Sequence, residues 1–506
     1  MSASDKLLED RKYAPKNLGR VLVLGLGKSG RSAVSYCANL LGSRVETLDV
    51  AAGAENQAAH DFLAAYTDDA RVRVAFGDDG VKQLSGADVH YDICVTSPGI
   101  PYWETLYQDA LAQSAEVVSE LEFAWRESAK DSVWAAITGT NGKTTTTSCC
   151  AAILKQAGFA ASAVGNIGGV CLDAVADGNT RCYVCEASSY QLASTSKFAP
   201  NAAVLLNITP DHIHWHKTLE AYRDAKFKML DNLASVPGAV AVLDATNDVV
   251  RAKMRQLKAV PDEERGFAYI PMGTKAGLTG DMRKACGAAN AAFIDEDGWL
   301  TVAFAGTEHR LLPASDLLIE GAHNAGNALA ASACAIALGA DDASIAAALR
   351  AFKPLEHRIE PCGSVDGVRV YNDSKATNVD ATLKALEAFP HTRPIVLLGG
   401  DDKGTDLAPL VASAHAHTRA VVCFGAAAAR FQQAFADAAA DAPADFIVEH
   451  AGKLEDALDA GLGLAKPGEV VLLSPACASF DEFNSFEQRG EEFKKYVARR
   501  QAAAAE

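Results

Sequence analysis

Short β-branched apolar runs alternate with Ala- and Leu-rich stretches of helical length along most of the chain. That is the pattern of βα units wound about a parallel sheet, so the expected class is α/β. Residues 20–27, 44–49 and 91–99 form a first series of strands with their turns, and residues 133–144, 183–188 and 201–209 a second. A third series reads through residues 368–373, 394–401, 420–425 and 469–476. Where the series restart, near residues 122 and 355, domain boundaries are expected, giving three α/β domains over 1–121, 122–354 and 355–506. The stretch 247–312, with Pro261, Gly266, Pro271 and other glycines, reads as loop and short strand inside the second domain. No internal repeat of solenoid period is visible, and the Ala-rich tail 502–505 reads as a frayed end.

Composition narrows this picture. A chain of 506 residues is too long for one hydrophobic core, which agrees with several domains. Its apolar runs, such as 21–24 and 471–473, are far shorter than the ~20 residues a bilayer span needs, so no membrane insertion is expected. The first residues mix Asp5, Lys6, Glu9, Asp10, Arg11 and Lys12 without a secretory pattern, and a cytoplasmic protein is expected. Twelve cysteines in a long intracellular chain read as reduced thiols. A net charge of −17 argues against a nucleic-acid partner, because phosphate backbones need a basic face. Local basic sites for small anions stay open.

Two glycine turns carry candidate chemistry. Gly25, Gly27, Lys28, Ser29 and Gly30 follow the first strand and open a helix, where backbone N–H groups and the helix dipole favour a phosphate. Asp49 closes the next strand, 19 residues after Gly30, where a dinucleotide-binding domain keeps its ribose acid. Taken alone, this turn reads as a nicotinamide, flavin or other nucleotide-diphosphate site, or simply as a tight turn that packs helix on sheet. The second turn, Gly139-Thr140-Asn141-Gly142-Lys143-Thr144-Thr145 after residues 133–138, is a shorter variant of the P-loop, with Ile137 where the general pattern has glycine. It predicts ATP: backbone donors cradle phosphates, the Lys143 ammonium meets the outer phosphates, and a hydroxyl faces Mg²⁺.

A set of motifs then runs in order along the chain: TGTNGKTT, GNIG (165–168), EASSYQL (186–192), NITPDHIHWH (207–216), AYRDAK (221–226), HN..N (323–327), EHRIE, NDSKATN (372–378), GGDDKG (399–404) and SPACASFDEF (474–483). Together they resemble the Mur ligases over nearly the whole chain. NDSKATN, SPACAS and the following FEQRG point, within that family, to the members that add D-glutamate to UDP-N-acetylmuramoyl-L-alanine, and no Asn-Pro-Arg triplet of the diamino-acid-adding members is present.

The resemblance implies a Rossmann-like N-terminal domain for the UDP-substrate, a central P-loop-type ATPase domain, and a Rossmann-like C-terminal domain for the amino acid. It implies ATP and Mg²⁺, an acyl-phosphate intermediate and a monomer. Gly25, Gly27, Lys28, Ser29, Gly30, Asp49, Ser97, Pro98, Gly99, Asn166 and Ser188 would then hold the UDP-substrate. Thr144, Glu186, His212 and Lys226 would hold Mg²⁺, Lys226 as a carbamate, and Lys143, His212 and Lys226 would form the catalytic group. Asn324, Asn327, Arg358, Asp373 and Asp401 would join the P-loop around ATP, with Lys403 nearby. Lys375, Thr377, Ser479 and Phe486 would receive D-glutamate.

Other features are read as bland. Cys182 and Cys185 have redox spacing but sit in a strand and are expected to be core thiols; Phe483 reads as core. His214 stands where the family usually has Asp, and His214 and His216 are not expected to be ligands. The competing activities are a different amide ligase of the superfamily, such as a folate polyglutamate ligase, a nicotinamide-dependent oxidoreductase, and a nucleotide-hydrolysing motor or switch.

Overall fold

The computed structural model describes residues 6–53, 55–85, 90–273, 289–319, 321–389, 392–402 and 404–504. Lys403 and Ala505 lie outside the described residues, as does the segment 274–288 of the stretch 247–312. The first sheet is built from β1 (Gly19–Leu24), β2 (Val45–Ala52), β3 (Val72–Phe76), β4 (Ile93–Thr96) and β5 (Val117–Ser119), in the order β3-β2-β1-β4-β5 and wholly parallel.

The second sheet takes β6 (Val133–Thr138), β7 (Ala161–Gly165), β8 (Cys182–Glu186), β9 (Ala202–Leu205), β10 (Val240–Asp244), β11 (Ala268–Gly273), β12 (Ala291–Ile294), β13 (Trp299–Phe304) and β14 (Thr307–Pro313). Its order is β14-β13-β12-β11-β10-β9-β6-β8-β7, parallel except for the antiparallel run β12-β13-β14 at one edge. The third sheet contains β15 (Glu360–Val365), β16 (Val368–Asn372), β17 (Ile395–Gly399), β18 (Ala420–Phe424), β19 (Ile447–His450) and β20 (Val470–Ala476), ordered β15-β16-β20-β17-β18-β19. Central strands such as β8, β17 and β20 are buried at every position, because parallel strands are covered on both faces and therefore read as continuous apolar runs.

The topology places the functional edges. In the first sheet β1 lies between β2 and β4, so the chain turns to opposite sides from a single crevice at the carboxyl ends. The second sheet has the same reversal around β6, flanked by β9 and β8, and the third has it at β20, between β16 and β17.

Three sequence expectations are corrected. The stretch 247–312 is not loop and short strand alone: it contains the helix Asp248–Lys258, whose N-cap Asn247 accepts from the Val250 N–H at 3.1 Å, and which buries Val250 and Met254. Residues after 289 add β12–β14 to the sheet, so this part of the stretch widens the central sheet. Asp49 does not close β2 but lies three residues inside it, paired in register with Leu22 of β1. Residues 502–504 of the Ala-rich tail continue the helix Phe486–Ala504, since alanine favours helix most strongly.

The described cysteines are free thiols, and Cys182 and Cys185 are both buried in β8, as the sequence suggested. No helix of the described residues is long and apolar enough to cross a membrane. By packing, residues 1–316 and 327–350 form one compact unit holding the first two sheets, while residues 317–326 and 351–506 form a second unit holding the third.

Candidate active site

The glycine turn after β1 is shaped by contacts that exclude side chains. A Cβ on Gly30 would fall 1.9 Å from the Gly25 carbonyl oxygen, and Gly25 itself has φ +81° with Ser97 and Ile100 against it. Gly27 faces open space and precedes the helix Lys28–Ala38, leaving the backbone of that helix start approachable. Ser97, at the end of β4, lies against Gly25 and Gly30 as its motif suggested, and its buried Oγ has no hydrogen-bond partner. Pro98 and Gly99 continue the same turn.

Asp49 is placed differently. Its fully buried carboxylate is held by the Arg73 guanidinium and by the Tyr91 hydroxyl at 2.7 Å, well below the carboxyl edge where ligands of such sheets bind. A ribose would have to compete with both partners.

The turn after β6 is stitched to the loop after β9. Asn207 accepts from Asn141 N at 2.8 Å and donates to the Asn141 carbonyl at 3.1 Å, while Thr140 Oγ1 bonds the Thr209 carbonyl and the Tyr222 hydroxyl. Gly142, at φ +85°, caps the helix Lys143–Gln156, and a Cβ there would meet Asn327 Oδ1 at 2.4 Å. Asn327 also accepts from the buried Thr146 hydroxyl at 3.3 Å, so it supports the turn from behind. Lys143 Nζ donates to the carbonyls of Gly139 and Thr140 at 3.0 and 2.7 Å, positioned at the helix start beside half-buried Thr144 and buried Thr145.

Beside this turn the structure gathers Glu186, Lys226 and His212. Glu186 ends β8, opposite Ile137 of β6; Asn166 Nδ2 donates to its Oε1 at 2.9 Å, and its other oxygen is buried without a partner. Lys226, on the helix Leu219–Phe227, is 1% exposed and donates to the Gly139 carbonyl at 2.7 Å. Burial and the Lys143 charge hold its ammonium well below the ordinary lysine range, against the opposing pull of Asp211 and Glu186.

His212 begins the one-turn helix Ile213–His216 at φ +55°, with Tyr190 hydroxyl 2.7 Å from its Nδ1. His216 is buried, bonded through Nε2 to Ser189 at 2.9 Å, and pushed down to about 4 by burial and neighbouring positive groups. Its Nδ1 is buried without a hydrogen-bond partner. Ser188 is engaged as the N-cap of the helix Ser189–Ala193, in a reciprocal capping box with Gln191.

In the second unit, the loops after β16 and β20 carry the remaining candidates. Lys375 Nζ lies 3.6 Å from the Phe486 ring centroid, Ser479 is 2% exposed, and Thr377 follows Lys375 in the same loop. Asp401, exposed, makes a backbone bridge with Ala478. Asp373 turns inward instead: it accepts from Ser474 Oγ at 2.8 Å and Ile359 N at 3.3 Å, and burial raises it to about 7. Arg358 is among the charges that oppose that rise. Asn324 is buried on the helix Ala322–Ala337.

Sequence reading assigned no role to Arg489, although it lies within FEQRG. Only 1% exposed, it donates to Ser374 Oγ at 2.9 Å, to the Ser374 carbonyl at 2.8 Å, and to the carbonyls of Cys477 and Ala478 at 3.1 Å each. One guanidinium thus joins the two loops that present Lys375 and Ser479. An arginine in an otherwise amphipathic helix was the available signal, and only burial distinguishes it from a surface charge.

Similarity to known proteins follows this layout. Residues 137–335 match the Mur ligase middle domain and residues 357–477 the Mur ligase glutamate ligase domain. The chain is 35% identical over 479 residues to the UDP-N-acetylmuramoylalanine–D-glutamate ligase of Koribacter versatilis, covering 94% of this chain and 97% of that protein. It is 37% identical over 490 residues to the ligase of the same name from Salinibacter ruber, again covering 94% and 97%. Among solved structures, UDP-N-acetylmuramate–alanine ligase from Thermotoga maritima shares the fold with TM-score 0.51 at 19% identity, over 96% of this chain and 99% of that one.

Proposed function

The chain belongs to the Mur ligase family, and from that premise we propose how its residues divide the family's reaction. The reaction adds D-glutamate to UDP-N-acetylmuramoyl-L-alanine with consumption of ATP, in peptidoglycan synthesis. A carboxylate does not condense with an amine unaided. Phosphorylation of the substrate's alanine carboxylate by ATP gives an acyl phosphate, which the D-glutamate amine attacks with loss of phosphate. Two anions must therefore meet, and the site must hold positive charge where they do.

The observation that carries this reading is the convergence, at the carboxyl ends of β6 and β8, of the Lys143 ammonium and the buried Lys226 nitrogen with a buried carboxylate oxygen that lacks a partner. Lys143 would exchange its carbonyl partners for phosphate oxygens, with the helix Lys143–Gln156 aiming its positive end at the same place. Glu186 suits Mg²⁺ because its orphaned oxygen is a hard ligand already stripped of water. Thr144, His212 and Lys226 would complete the ligand set, and the cation would neutralise phosphate charge. Burial disfavours the Lys226 ammonium relative to the amine that adds CO₂ with loss of a proton, and the resulting carbamate would be an anionic ligand.

The UDP-substrate is assigned to Gly25, Gly27, Lys28, Ser29, Gly30, Ser97, Pro98 and Gly99, with Asn166 and Ser188 toward the alanine end. The orphaned Ser97 hydroxyl supports that assignment, whereas the pairing of Asp49 to Arg73 weighs against its direct role. ATP is assigned to residues 139–145 with Asn324, Asn327, Arg358, Asp373 and Asp401. D-glutamate is assigned to Lys375, Thr377, Ser479 and Phe486, where a cation and hydroxyls would meet its carboxylates. A cytoplasmic monomer fits these soluble substrates.

Phosphate release from ATP with UDP-N-acetylmuramoyl-L-alanine, scanned across amino acids, tests the reading. D-glutamate should stimulate it; stimulation by L-alanine or a diamino acid and not by D-glutamate overturns it. Lys143→Ala should lower turnover by roughly a hundredfold or more while calorimetry still detects the UDP-substrate.

A further inference from the structure

Two aromatic residues outside every site so far described connect the N-terminal substrate turn to His212. The chain leaves β4 through Ser97, Pro98 and Gly99, and three residues later reaches Tyr102 and Trp103. Trp103 donates its indole N–H to the Trp215 carbonyl at 2.8 Å, and the Tyr102 hydroxyl donates to the His216 carbonyl at 3.1 Å. Both acceptors belong to Ile213–His216, the single helical turn that His212 opens.

That turn needs outside support. One turn of helix is unstable alone, and its last carbonyls have no partner within the helix. Here those carbonyls are satisfied by side chains from the N-terminal sheet's own loop. The chain on either side is strained, with His212 at φ +55° and Lys217 at φ +70°. Lys217 Nζ sits 3.3 Å from the Trp103 ring centroid, the Tyr102 and Trp215 rings meet edge-on at 5.5 Å, and Tyr190 packs on Trp215 at 4.7 Å while bonding His212. Trp103 is nevertheless 41% exposed, so core burial does not account for a tryptophan there.

We propose that Tyr102 and Trp103 are positioning residues that transmit occupancy of the Ser97–Gly99 turn to His212, so that binding of the UDP-sugar substrate tightens divalent-cation binding at the Glu186–His212–Lys226 cluster. The inference rests on the functional reading above for the identity of both ligands. The coupling is reciprocal: the cation tightens the UDP-substrate by the same factor.

The full-length chain carrying Tyr102→Phe and Trp103→Phe keeps an aromatic ring at each position, a smaller one at 103, and loses both donors. Mn²⁺ affinity is measured by electron paramagnetic resonance with a non-hydrolysable ATP analogue present, with and without UDP-N-acetylmuramoyl-L-alanine. In the wild type the substrate should tighten Mn²⁺ by about fivefold or more, and in the double variant by less than about twofold. Affinity for the UDP-substrate without metal should be unchanged, whereas its affinity at saturating Mn²⁺ should fall by the same factor that the coupling loses. Trp103→Phe alone, which removes one donor and leaves Tyr102 in place, should give an intermediate ratio.

A wild-type coupling ratio retained in either folded variant, or a wild type without coupling, overturns the strap. A general loss of stability would lower activity and the melting temperature without erasing the ratio. Absence of D-glutamate-stimulated phosphate release in the wild type instead sinks the functional reading, and the Mn²⁺ ratio still decides the strap.

Discussion

Asp373 is an acid held where its charged form is disfavoured. Burial raises it to about 7 from an ordinary 3.8, in spite of the Ser474 hydroxyl, the Ile359 N–H and the Arg358 charge. Between those values the folded chain binds more protons than the unfolded chain, so the stability of the second unit falls as pH rises from about 4 to about 7, with a slope no steeper than ~1.4 kcal/mol per pH unit. Asp373→Asn should flatten that slope. The Ser474 hydroxyl, which also reaches Thr382 at 3.2 Å, can turn to accept from the new amide. Thermal unfolding of the second unit's transition at pH 5 and pH 8 checks this; an unchanged slope in the variant would mean that another group titrates.

The same residue shows what sequence could and could not display. Asp373 was legible as part of NDSKATN, yet nothing in the motif says that its carboxylate turns inward. Lys143 and Glu186 were legible because glycines, strand ends and residue type coincide. Lys226 was legible only by resemblance, since its special property is a buried environment made by Tyr222 one turn earlier on its own helix and by Lys143 and the Gly139 carbonyl from a distant segment.

At the scale of elements, the turn after β1 makes the sharpest demand on a single residue. A methyl group on Gly30 would overlap the Gly25 carbonyl oxygen, which belongs to rigid backbone and cannot swing aside. Gly30→Ala should therefore displace the turn from the start of the helix Lys28–Ala38, cost about 1–3 kcal/mol in the first unit, and weaken the UDP-substrate by at least roughly tenfold. Nucleotide binding at the turn after β6 should persist, because that turn is held by Asn207 and Asn327. Calorimetric titration of each ligand separates the two; equal loss of both would show a global defect. The paired glycine turns were readable because only φ and close approach dictate them. The helix Asp248–Lys258 was missed although Asn247, Asp248 and the spacing of Val250 and Met254 announce it, because prolines and glycines downstream dominated the reading of the whole stretch.

For the whole molecule, strand periodicity revealed three sheets, but how sheets share a folding unit depends on contacts between residues far apart in sequence. The first two sheets are tied by several such contacts. The Leu172 N–H donates to buried Glu120 at 2.7 Å, Ser32 bonds Asp173, the Ser119 N–H donates to the Ser194 carbonyl at 2.8 Å, and the strap reaches the turn at His212. Ligand that binds only the native first sheet should then stabilise both. At a hundred times its dissociation constant the UDP-substrate contributes about 2.7 kcal/mol, or close to a hundredfold slower exchange for amides that open only by unfolding of the unit. Hydrogen exchange with this substrate alone should show β1 and β4 slowing together with β6 and β8, while β16, β17 and β20 keep their rates. Slowing confined to β1–β5 would make residues 1–121 an independent domain, since the contacts at Glu120, Asp173 and Ser194 would then be too weak to couple its opening to that of the central sheet.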